Sequence, residues 1–86
     1  MVNLRLSGQT QKFSGLARYF VASNNRGGWF VFKEGIQRPV SRVALKINAV
    51  ETAKVMARDN APSQVFVEMR DGSFFEKYAF PHAHAH

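Results

Sequence analysis

The chain has 86 residues, with 12 Lys and Arg against 6 Asp and Glu, a formal charge of +6 and no cysteine. A chain this short buries only about 60–65% of the surface its unfolded form exposes, so it holds one core and no second domain. Its 45% hydrophobic and 13% aromatic content argues against disorder, and the missing cysteines exclude disulfides, thiolate zinc sites and cysteine nucleophiles.

In chain order, residues 1–15 are polar and rich in Gly and Ser, with Val2, Leu4 and Leu6 alternating. They read as a flexible arm or a short edge strand. Leu16 to Ala22 is apolar and aromatic, Asn24-Asn25-Arg26-Gly27-Gly28 tolerates positive φ, and Trp29 to Lys33 is aromatic and β-branched. Together they predict a hairpin. Ile36 to Lys46 contains Pro39, which bars a central strand, and reads as a connection.

A helix is predicted from Asn48 to Arg58, started by a capping box between Asn48 and Glu51 and stopped by Asn60 and Pro62. Its apolar stripe is Ala49, Val50, Ala53, Met56 and Ala57, with Val55 on the opposite side. Val65–Arg70 and Ser73–Phe80 then form a second hairpin around a two-residue Asp71-Gly72 turn. That register pairs Met69 with Phe74, Val67 with Glu76 and Val65 with Tyr78 on the core face. It puts Glu68 with Phe75, and Phe66 with Lys77, on the other.

The fold expected is α+β: a two-layer β-β-α-β-β domain over 16–80, a four-stranded antiparallel sheet with one helix packed on one face. Its core would be Trp29, Val31, Val50, Ala53, Met56, Val65, Val67, Met69, Phe74 and Tyr78. Residues 81–86 read as a disordered tail carrying His82, His84 and His86.

Gly27-Gly28-Trp29, Val31, Glu34-Gly35, Arg38, Ala49, Ala53, Ala57, Asp71-Gly72 and Glu76-Lys77, taken in order, resemble a small bacterial domain-of-unknown-function family over Tyr19 to Phe80. The resemblance implies a hairpin, helix, hairpin fold and a bacterial or phage setting. The resemblance brings no assigned catalytic residues to carry over. This chain departs from its pattern at Phe30 and Phe32, where small or polar residues alternate with the tryptophan and valine.

Catalysis has few candidates. All three histidines follow Pro81, Gly27-Gly28 opens a strand rather than a helix, and Glu68 and Glu76 are expected on opposite faces, so no enzyme is read. No cofactor is implied and no metal site is assigned, because histidines on a loose tail lack the fixed geometry of a dedicated site.

Met1 to Ser7 lacks the apolar stretch of a secretory signal, and the longest apolar runs fall far short of the ~20 residues that span a bilayer. The chain is therefore expected to be soluble and cytoplasmic, with no membrane partner. A pI near 10.4 then points to nucleic acid, whose phosphates Lys and Arg neutralise; the competing reading is charge that only maintains solubility.

The functional expectation is a non-catalytic nucleic-acid-binding module with a basic, aromatic sheet face, single-stranded nucleic acid or RNA being favoured. Its site would comprise Arg18, Arg26, Phe30, Phe32, Arg38, Arg42, Phe66, Arg70, Phe75 and Lys77, with rings stacking on bases and cations meeting phosphates. The alternative is a small homodimeric interaction or adaptor domain that uses the exposed phenylalanines as its interface.

Overall fold

The structure, a computed structural model, describes residues 16–82; the N-terminal arm and the last two histidines lie outside the described residues. Five strands and one helix follow in the order β1 (Ala17–Ser23), β2 (Trp29–Lys33), β3 (Ser41–Val43), α1 (Lys46–Asp59), β4 (Ser63–Glu68) and β5 (Phe74–Phe80). The sheet order is β3-β2-β1-β4-β5, antiparallel except where β1 runs parallel to β4. None of the described helices is long and apolar enough to cross a membrane.

The expected four-stranded antiparallel sheet is thus corrected to a five-stranded mixed one. Ser41–Val43, beyond Pro39, adds a short edge strand beside β2. Because α1 carries the chain back across the sheet, β4 runs in the direction of β3, which is also that of β1. The helix therefore imposes the parallel pair.

α1 starts two residues earlier than the capping-box spacing predicts. Leu45 is the extended N-cap residue, its carbonyl accepts from the amides of Asn48 and Ala49, and no side chain caps the end. Asn48 is already helical, so it cannot act as a cap. The C-terminus behaves as read: the Asn60 amide donates to the carbonyls of Met56 and Ala57, and its side-chain nitrogen donates to the Tyr19 hydroxyl at 3.0 Å. Burial raises the Tyr19 pKa above its ordinary value, partly offset by the Asn60 bond and assisted by the Asp59 charge.

The core forms where α1 lies on the sheet. Ala49, Ala53 and Ala57, one per turn, are fully buried against Tyr19, Val21, Val31, Val65 and Val67. Alanine at each contact lets the helix backbone approach closely. Trp29, Val43, Val50, Met56, Tyr78 and Phe80 seal the margin, and Val55 stays exposed on the far side.

The second hairpin departs from its expected register twice. The loop has three residues, Arg70-Asp71-Gly72, closed by a Met69 amide to Ser73 carbonyl bond of 2.7 Å, with Gly72 at φ +88°. The Asp71 carboxylate accepts from both the amide and the hydroxyl of Ser73, and these bonds lower its pKa. One extra loop residue slips the pairing by one, so Phe75 meets Val67 and Glu76 meets Phe66; the irregularity after Val65 leaves Lys77 unpaired and restores Val65 opposite Tyr78.

Four expectations change as a result. Phe75 lies on the helix side, Glu76 lies on the open face, and Glu68 and Glu76 share that face. Met69 and Phe74, expected in the core, are 47% and 42% exposed.

Candidate functional site

Residues alternating with the core positions build the sheet face opposite α1. Strand pairing arranges them in rows. Phe32, Phe20, Phe66 and Glu76 cross β2, β1, β4 and β5 in one row. Arg42, Phe30 and Ala22 form the next, with Glu68 and Phe74 paired at its far end. Arg18, Gln64 and Ala79 form the third.

Phe20 stacks on Phe66 with ring centroids 5.2 Å apart and meets Phe74 edge-on at 5.5 Å, while Phe30 and Phe32 meet edge-on at 5.6 Å. The arrangement brings together Phe30, Phe32 and Phe66 of the expected site. It adds Phe20 and Phe74, which sequence reasoning missed because their faces depended on two unknown registers. For Phe20 the alternation of Tyr19 and Val21 with Arg18 and Phe20 was the available signal.

The charge on this face is not basic. Two cations, Arg18 and Arg42, share the face with the carboxylates Glu68 and Glu76, and Glu34 stands at its rim. Arg18 is engaged: its guanidinium donates to Glu34 at 2.9 Å and to Gln64 at 3.1 Å, and Gln64 donates to Glu76 at 3.3 Å. Arg42 lies 5.7 Å from the centre of the Phe30 ring.

The other cations lie elsewhere. Lys33 sits over Tyr19, Lys46 over Trp29, and Lys54 and Lys77 over Tyr78, at 5.1 to 5.9 Å from the ring centres. All three rings belong to the helix side. Cation–π attraction of this kind is worth about 0.5–1 kcal/mol at exposed sites and fixes where each amine stands. Arg58 is in the last turn of α1, and Arg26 and Arg38 are exposed in the connections flanking β2. Among the described residues, the one salt bridge is Arg18 to Glu34.

Lys46 and Arg70, with Arg26 in the neighbouring turn, come together at the end of the domain where β1 and β4 finish and α1 begins. A groove of about 400 Å³ there is lined by Ser23, Asn25, Trp29, Lys46, Glu68, Met69 and Arg70. Asn24 organises its rim: its side-chain oxygen accepts from the amides of Arg26 at 2.7 Å and Gly28 at 3.0 Å. Asn25 and Gly27 take the positive φ values that the turn requires, and a side chain at Gly28 would strike Asn24 at 2.7 Å. Glu68 is the one acid in the groove, and one of its oxygens accepts from the Ser23 amide at 2.8 Å. The first turn of α1 carries no acidic residue to offset its positive pole.

The structure thus divides the expected site. Phe30, Phe32, Phe66, Arg18 and Arg42 share the open face; Arg26 and Arg70 belong to the loops at the groove end; Phe75 is on the helix side and Lys77 reaches the Tyr78 ring there. Arg38 stands apart in the β2–β3 connection. Among the described residues, no group of three or more His, Cys, Asp or Glu side chains is placed to hold a metal ion.

No curated protein and no solved structure matches the chain significantly. The family model for DUF2188, described as an uncharacterized protein conserved in bacteria, matches residues 19–80, from the first core tyrosine to the last residue of β5. The chain belongs to this bacterial family.

Proposed function

We propose that this domain is a non-catalytic nucleic-acid-binding module that grips phosphates with its helix side and groove end. One observation carries this reading: all four described lysines stand over helix-side rings, and Lys46 joins Arg26 and Arg70 at the groove end, none with a carboxylate partner among the described residues. Unneutralised cations held in place gain most from displacing the counterions condensed on a polyanion.

The sheet face has less support as the stacking platform. Its two arginines are matched by Glu68 and Glu76, and Arg18 is already bonded to Glu34, so a phosphate chain laid over it would meet no net positive charge, whereas the groove sets Glu68 alone against Lys46 and Arg70. Recognition through the backbone makes the domain tolerant of sequence.

Fluorescence anisotropy of labelled single-stranded RNA, single-stranded DNA and duplex, titrated across a salt series, tests the proposal. Micromolar binding near 0.15 M salt is expected, with log affinity falling by about 0.7 per neutralised phosphate on single strands and about 0.9 on duplex. Absence of binding at 50 mM salt would reject it.

A further inference from the structure

The open face presents five phenylalanines, and no described element packs on it. We infer that a second copy of this chain covers it, sheet against sheet. This goes beyond the phosphate-binding reading and uses the phenylalanine face, which shares only Glu68 with the groove lining.

The face is self-complementary. Phe20 occupies the central strand β1, Phe32 and Phe66 flank it on β2 and β4, Arg42 lies on the edge strand β3, and Glu76 lies on the opposite edge β5. A two-fold axis along β1, in the plane between two such faces, exchanges left and right and keeps each row level. Phe20 then meets its own counterpart, and Phe32 meets the partner's Phe66. Arg42 comes down on the partner's Phe74, which the partner's Glu68 flanks across the row and the partner's Glu76 flanks along β5, while the two Arg18 side chains, each paired with its own Glu34, meet at the end of the axis. The same contact is made twice, as an isologous interface requires.

The charge distribution favours this occupant. A face with Arg42 on one edge strand, Glu76 on the other and Glu68 one strand further in offers a polyanion little, but brings its arginine edge to its acidic side when turned over. Five strands spaced about 4.8 Å apart give a face about 24 Å across, which suits aligned sheet packing and places the contact at the small end of specific interfaces. A dimer that forms and dissociates within the micromolar range is the expected result.

Sedimentation velocity of the full chain, without nucleic acid, from about 1 to 100 µM tests the inference. The 9.7 kDa monomer is expected to give way to a species of twice that mass as concentration rises. Arg42→Glu should weaken the dimer by about tenfold, and Arg42→Glu combined with Glu76→Arg should restore it to within about threefold of the parent. Phe66→Ser should leave a monomer whose circular dichroism is unchanged.

A monomer at every concentration would overturn the inference and leave the face to residues 1–15 or another protein. So would a dimer indifferent to both Phe66→Ser and Arg42→Glu. Because no oligonucleotide is present, either result leaves the phosphate-binding reading standing or falling on its own test.

Discussion

Replacing Ala53 by leucine is expected to destabilise the domain by about 1–3 kcal/mol, seen as a lower urea midpoint with an unchanged slope. Ala53 has no exposed surface and lies between Ala49 and Ala57, which are equally buried, on a floor of Val21, Val31, Val65 and Val67. Three added carbons have no void to enter, so α1 must lift from the sheet or the valines must leave their rotamers. A domain of this size has a total margin of only about 4–13 kcal/mol, so the loss is a large share of it. Val55→Leu, at a position 40% exposed on the other side of the same helix, adds a methylene in open space and should move the midpoint little. Equal effects from the two substitutions would mean that the alanine seam does not set the helix–sheet distance.

The second large effect concerns binding. Lys46→Gln together with Arg70→Gln removes two of the positive groups lining the groove. If each meets one phosphate, the salt slope on single strands should fall by about 1.4, and affinity at low salt should drop by roughly tenfold to a hundredfold. Both residues are exposed, so the fold should tolerate the change. Loss of the Lys46 contact with Trp29 costs about 0.5–1 kcal/mol of stability at most. Phe66→Ser, on the far side of the sheet, should leave affinity and slope near the parent values. The reverse pattern would return the nucleic acid to the phenylalanine face.

Much of the fold is legible in the sequence, for identifiable reasons. Asn24 to Gly28 between two β-branched and aromatic runs marks the first hairpin, and the spacing of Ala49, Ala53 and Ala57 marks both the helix and its buried stripe. Asn60 marks where that helix stops. What escaped was register. Asp71-Gly72 suits a two-residue turn, and Arg70-Asp71-Gly72 suits a three-residue loop with glycine at positive φ equally well. Local sequence does not choose between them, yet the choice decides which face Phe74, Phe75 and Glu76 occupy. The unpaired Lys77 then hides the slip by returning Tyr78 to its expected partner.

Strand order escaped for a different reason. β3 is three residues long, too short for alternation to show, and the parallel pairing of β1 with β4 depends on where the helix returns the chain. The candidate site inherited these uncertainties. The cations were visible as composition, but their separation from the phenylalanines depends on side-chain direction across five strands.

If the proposal holds, phosphates bind at the groove end and helix side, away from the phenylalanine surface. Backbone amide chemical shifts, followed by NMR while a short single-stranded RNA is added, test it residue by residue. Shifts are expected to concentrate at residues 24–28, at Lys46 and Ile47, and at residues 69–72, with Phe20, Phe32 and Phe66 unmoved. Shifts centred on those three phenylalanines, with the groove end silent, would contradict it.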